Sequence, residues 1–297
     1  METSPFFYLE VKMKVVLVSC FILLSQSVFA LDKVIYGTDD RKDLYEVKNN
    51  LYRSLAQATA GMIPVDQVIP QSGDMFKVIG TRLQDDGICA DAKFAKQITA
   101  ANCSGFLVGE DLLVTAGHCI EDLADCSRYQ WVFNYSIDNA QKNDFLVQKD
   151  DVYACTEIIE QTLDRTTMDD YALVRLDRKV IGHTPLKFRT SGKIANNAQL
   201  VVIGHPSGLP TKIADGAAVR ENSNNFFFQS NLDTFGGNSG SAVFDANNGL
   251  VEGILVRGER DYVPDSRKNC SRPKVCKNNA CRGEDVTRIT NIKSLIK

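Results

Sequence analysis

Three short segments carry side chains that could do chemistry together. Val114-Thr115-Ala116-Gly117-His118-Cys119 offers an imidazole, Asp170-Tyr171-Ala172-Leu173 a carboxylate, and Gly236-Gly237-Asn238-Ser239-Gly240-Ser241 a hydroxyl. A serine hydroxyl is a weak nucleophile at neutral pH. It becomes reactive when a neighbouring imidazole takes its proton and a buried carboxylate fixes the tautomer of that imidazole. His118, Asp170 and Ser239 therefore supply the groups needed for nucleophilic acyl transfer. The glycines beside Ser239 leave the backbone free to aim N–H groups at a developing oxyanion. Of the three histidines, His118, His183 and His205, His118 alone sits in such a context. Asp169 is a rival to Asp170, but the Asp-x-Ala-Leu pattern runs into apolar residues that read as a buried strand, which selects Asp170. A serine in a glycine-rich loop is by itself only a turn residue; the other two segments are what give Ser239 a role.

The elements that must position these groups are short. From about Phe76 onward, apolar runs such as Phe106-Leu107-Val108, Leu112-Leu113-Val114-Thr115, Tyr129-Gln130-Trp131-Val132-Phe133, Ala172-Leu173-Val174-Arg175-Leu176, Leu200-Val201-Val202-Ile203 and Ile254-Leu255-Val256 alternate with Gly, Asn and Asp. Strands of that length separated by turn residues indicate an all-β barrel or sandwich. Leu51 to Gly61 differs: its composition predicts a helix ending on a glycine C-cap.

The three segments resemble those of trypsin-like (chymotrypsin-fold) serine proteases, and most of all the bacterial V8-like, glutamyl-endopeptidase branch. Asn102-Cys103-Ser104-Gly105-Phe106-Leu107-Val108-Gly109 resembles the strand before the family's histidine. Val202-Ile203-Gly204-His205-Pro206-Ser207-Gly208-Leu209-Pro210 resembles a turn of the second barrel, with His205 where an aromatic residue is common. Val34 to Arg41 resembles the start of some mature chains. The resemblance implies an all-β fold of two six-stranded antiparallel barrels with the active site in the cleft between them. Residues 1–30 read as a signal peptide and 31–75 as an N-terminal arm or propeptide, and the resemblance then implies a first barrel at 76–185 with His118 and Asp170 and a second at 186–297 with Ser239. Lys179 to Lys193 would bridge the two. The oxyanion hole would be the backbone N–H groups of Gly237 and Ser239, and Cys103 would pair with Cys119. The substrate would be a protein or peptide, with no metal or cofactor.

Substrate choice is divided. In the glutamyl enzymes a Thr or Ser five residues before the nucleophile and a histidine on the following strand hold a P1 carboxylate. Thr234 matches the first, but Leu255 stands where the histidine belongs, and Arg257 is the nearby source of positive charge. Asp233, six residues before Ser239, stands where trypsin-like enzymes keep the aspartate that binds Arg or Lys, or else it has a structural role. Asn238 replaces the aspartate that pairs with a freed amino terminus in the trypsin branch. That weakens an activation scheme in which cleavage after Lys33 would expose Val34.

Composition limits the alternatives. The chain has 297 residues, 44% of them hydrophobic, enough for a two-lobed unit. A formal net charge of −3 gives no electrostatic case for nucleic-acid binding. Lys12-Met13-Lys14, the apolar run from Val15 to Phe29 and the small-residue site Val28-Phe29-Ala30 read as an export signal. The run is too short and interrupted for a stable span once the signal is removed, so the protein is expected to be secreted or periplasmic. Removing Cys20 with the signal leaves eight cysteines, consistent with up to four disulfides. Cys270, Cys276 and Cys281 lack the Cys-x-x-Cys spacing of a zinc knuckle. Two other readings stay open: an exported binding module on a protease fold, and a protease that acts mainly on its own arm.

Overall fold

The short apolar runs pair into two closed barrels. The computed structural model describes Met1 and residues 34–142 and 144–296; the expected signal and Lys33 fall outside these, Met1 aside. The first barrel consists of β1 (Thr59–Pro64), β2 (Cys103–Leu107), β3 (Leu112–Thr115), β4 (Tyr129–Phe133), β5 (Val152–Leu163) and β6 (Asp170–Leu176). Its strands neighbour one another in the order β1-β2-β3-β6-β5-β4 and back to β1, all antiparallel. The second consists of β7 (Gln199–Gly204), β8 (Lys212–Glu221), β9 (Phe227–Ser230), β10 (Ala242–Asp245), β11 (Val251–Arg257) and β12 (Glu284–Arg288). Its antiparallel order is β7-β10-β11-β12-β9-β8, closed by β7 against β8. The chain crosses between the barrels over residues 177–198.

Alternation along each strand fills the interiors. In the first barrel Phe106 faces Val114 across β2 and β3, and both are fully buried with Trp131 and Phe133. In the second, Val202, Phe228, Val243, Leu255 and Val286 share one cluster. Each such side chain contributes about 1.5–3 kcal/mol by leaving water. Four disulfides add cross-links: Cys89–Cys270, Cys103–Cys119, Cys126–Cys155 and Cys276–Cys281. Each is worth about 2–4 kcal/mol.

The N-terminal region departs from the pattern read in the sequence. Helix α1 spans Asn50–Ala56, capped by Asn49, whose side chain accepts the N–H groups of Leu51 and Tyr52. It stops short of Gly61, because Thr59 to Pro64 are drawn into β1 between β2 and β4. Barrel pairing on both edges outweighs the helical preference of an alanine-rich stretch. The first barrel thus begins at Thr59 rather than near residue 76. Upstream, Ile35–Tyr36 pairs in parallel with Val275–Cys276, and Arg41–Asp43 adds an edge strand to β8. That edge buries an ion pair between Lys212 and Asp43 at 2.7 Å, with side chains 1% and 5% exposed. Burial pushes the Lys212 ammonium down to about 8, against the pull of Asp43.

Two predictions follow from these buried groups. Asp43→Ala strands a buried lysine and is expected to cost about 3–5 kcal/mol; urea denaturation that shows less than about 1 kcal/mol would contradict the pairing. His205, at the end of β7, is fully buried, stacks on Tyr135 and gives its Nδ1–H to the Leu209 carbonyl at 2.9 Å. Burial lowers its pKa from 6.5 to about 4. The unfolded chain therefore binds the extra proton first, and stability falls as pH drops from about 6.5 to about 4, by about 3 kcal/mol from this group. In His205→Phe this part of the acid loss should disappear from pH-resolved melting curves. An unchanged slope would show that His205 is not its source.

Candidate functional site

His118 lies in the turn that follows β3, and Asp170 opens β6, the strand paired beside it. The Asp170 carboxylate accepts two hydrogen bonds from one residue: the His118 backbone N–H at 3.1 Å and the ring Nδ1 at 2.8 Å. A carboxylate only accepts, so Nδ1 carries the proton and Nε2 is left as the basic nitrogen. Among the described residues Nε2 is buried and has no hydrogen-bond partner. Asp169, just before β6, turns to Asn291 instead, whose Nδ2 donates to it at 2.7 Å. This settles the choice between the two aspartates: Asp170, not Asp169, meets the imidazole.

Ser239 comes from the other barrel, in the loop between β9 and β10. The loop is folded by hydrogen bonds from Asn238 N–H to Phe235 O and from Ser241 N–H to Asn238 O. It is pressed on the first barrel at several points. Ser104 of β2 donates its N–H to Ser239 O at 2.8 Å and its hydroxyl to Gly237 O at 2.8 Å. The Cys119 sulfur, one residue after His118, lies 3.8 Å from Ser239 O. Two glycines permit this approach. Gly237 has φ +88° and a Cβ there would meet His205 O at 2.5 Å; Gly240 has φ +86° and its Cβ would meet Ser104 O at 2.0 Å. The Ser239 hydroxyl itself donates to the Val256 carbonyl at 3.5 Å, so the loop is braced on the histidine turn while no hydrogen bond joins Ser239 Oγ to His118 Nε2. Cys103, His118 and Cys119 lie together, but both sulfurs are spent in a disulfide, so the cluster has no thiolate to offer a metal.

The four residues considered for substrate binding have other engagements. Asp233 accepts backbone N–H groups on both oxygens, from Tyr36 at 2.6 Å and Asp40 at 2.8 Å. It is buried, and burial pushes its pKa up to about 7. Thr234 donates its hydroxyl to Glu284 at 2.7 Å, and Glu284 is fully buried. Leu255 points into the second core, while its backbone brackets the serine loop: its carbonyl accepts from Gly240 and its N–H donates to Ser241. Arg257 is tied to Asp285 and Asp170. Each of the four side chains is thus turned to a partner inside the protein. A cavity of about 320 Å³ opens beside Gly236 and Gly237, lined also by Leu83, Ile88, Asp261 and Tyr262. Sequence reasoning missed Glu284, Asp285 and the hold of the N-terminal segment on the serine loop. Arg41 of that segment lays its guanidinium 4.1 Å over the ring of Phe235 in the serine loop. An arginine directly after the Asp39-Asp40 pair carries no pattern that would have shown this.

The profile of the trypsin-like peptidase domain matches residues 103–254. No curated protein matches the chain. Among solved structures, a Glu endopeptidase in complex with MPD aligns at 18% identity, covering 81% of this chain and 93% of that one, with a TM-score of 0.43. The active form of the Rv3671c protease from M. tuberculosis aligns at 13% identity, covering 89% and 88%, with a TM-score of 0.45. Its inactive form aligns at 13% identity, covering 84% and 93%, also at 0.45. The matched segment runs from β2 into β11, just over half of the chain, and includes His118, Asp170 and Ser239. The chain belongs to the trypsin-like peptidase family.

Proposed function

We propose that this protein is an exported serine endopeptidase. The observation that carries the reading is the doubly hydrogen-bonded His118–Asp170 pair, with the Ser239 loop held against the same turn. In this reading Ser239 Oγ attacks the scissile carbonyl of a peptide. His118 takes the hydroxyl proton on Nε2 and returns it to the leaving amine. Asp170 keeps the ring in the Nδ1–H tautomer and stabilises the imidazolium. The N–H groups of Gly237 and Ser239 receive the oxyanion, each worth about 3 kcal/mol to the transition state. Water then releases the acyl group by the same route. The four disulfides and the apolar N-terminal run support export to an oxidising compartment. Residues 34–43 brace the second barrel, which favours an arm that stays on the working enzyme over a discarded propeptide.

Kinetics on a mixed peptide library test this reading. Ser239→Ala and Asp170→Asn should each lower kcat by about 10⁴-fold or more while the fold is kept. Cleavage that persists in Ser239→Ala would refute it. The same library separates the roles of Asp233. Asp233→Ser leaves the buried Tyr36 N–H and the half-buried Asp40 N–H without acceptors, so a loss of about 1–3 kcal/mol is expected, with the P1 preference unchanged. A switch in P1 preference would instead make Asp233 a reader of the substrate.

A further inference from the structure

β11 ends at the seam between the barrels. The carbonyl of Val256 lies 3.5 Å from Ser239 Oγ, and the next residue, Arg257, sends its guanidinium to the other barrel. Nη1 is 3.7 Å from Asp170 Oδ2, the oxygen that also accepts the His118 Nδ1–H. Nη2 donates to the Met168 carbonyl at 2.5 Å, two residues before Asp170. On its own barrel, Nε donates to the fully buried Asp285 at 3.0 Å. The ring of Phe227 lies 5.5 Å from Cζ. The donors of a guanidinium are fixed in one plane. Fastening Nε to one barrel and Nη2 to the other therefore sets where Nη1 points. The side chain is 14% exposed, so solvent screens it little.

We propose that Arg257 is a positioning residue for the acyl-transfer machinery, acting through Asp170. The inference rests on the triad reading above. Arg257 holds the Asp170 carboxylate turned toward His118, and it locks the barrel that carries Ser239 to the barrel that carries the base.

Arg257→Gln and Arg257→Lys, made in the full chain and assayed on two peptides with different P1 residues, test this. Arg257→Gln should lower kcat about ten- to a hundredfold on both peptides and leave KM within about threefold. Arg257→Lys should restore part of kcat. A changed P1 preference, or a raised KM with kcat intact, would make Arg257 a substrate-binding residue and overturn the proposal. A lowered melting temperature with kcat unchanged would overturn it too, as a purely structural role. If Arg257→Gln does not fold because the buried Asp285 keeps only Arg282 and Gln229 as partners, the double variant Arg257→Gln/Asp285→Asn lowers that penalty and is read by the same criteria. Wild-type protein assayed in parallel separates the two claims. An inactive wild type refutes the triad reading, whereas an active wild type with unaffected variants refutes only the role of Arg257.

Discussion

Everything at this site depends on the seam between two barrels. The His118–Asp170 pair is closed within the first barrel, by two hydrogen bonds to one carboxylate. The hydroxyl it would serve comes from the second. Proton transfer requires hydrogen-bond reach, so a small slip of one barrel over the other would separate base from nucleophile. The seam is made of specific contacts. A β2 N–H reaches Ser239 O, the Ser104 hydroxyl reaches Gly237 O, and Arg257 spans to Asp170 and Met168. Gly237 and Gly240 let the backbones come close enough for these contacts to form.

The second support of the serine loop comes from the start of the described chain. Asp233 gathers two backbone N–H groups from residues 36 and 40, and Arg41 stacks on Phe235. Both Asp233 and Phe235 lie within six residues of Ser239. Backbone donors would favour an ionised Asp233, but burial outweighs them and holds its pKa near 7. The segment and the loop thus order each other. This is a different solution from an ion pair at the residue before the nucleophile, which Asn238 cannot make. Asn238 instead accepts a hydrogen bond from the Ser241 hydroxyl on its side-chain oxygen.

The parts of this molecule legible in the sequence are those fixed by local pattern. The barrel strands were visible as short apolar runs between turn residues, and the choice of Asp170 followed from its place at the head of one. The family resemblance supplied the two-barrel arrangement and the Cys103–Cys119 pair, and the structure has both. Illegible were features that long-range partners decide. Thr59 to Pro64 reads as helix until two neighbouring strands claim it. Thr234, Leu255 and Arg257 stand where pocket residues could be expected, but Glu284, the second core and Asp285 take them. Those partners lie 50, 31 and 28 residues away or in several strands at once, and no spacing rule connects them. The same holds for the remaining disulfides, because eight cysteines admit many pairings.

The most direct test of the central claim is covalent. A serine-reactive phosphonate bearing a peptidyl group should modify the folded wild-type protein once per chain, and mass mapping should place the adduct on Ser239. The adduct should be absent from Ser239→Ala and formed far more slowly in His118→Ala. A folded protein that cleaves peptides yet takes no adduct, or takes it at another residue, would contradict the assignment of Ser239 as nucleophile and with it the account of the seam.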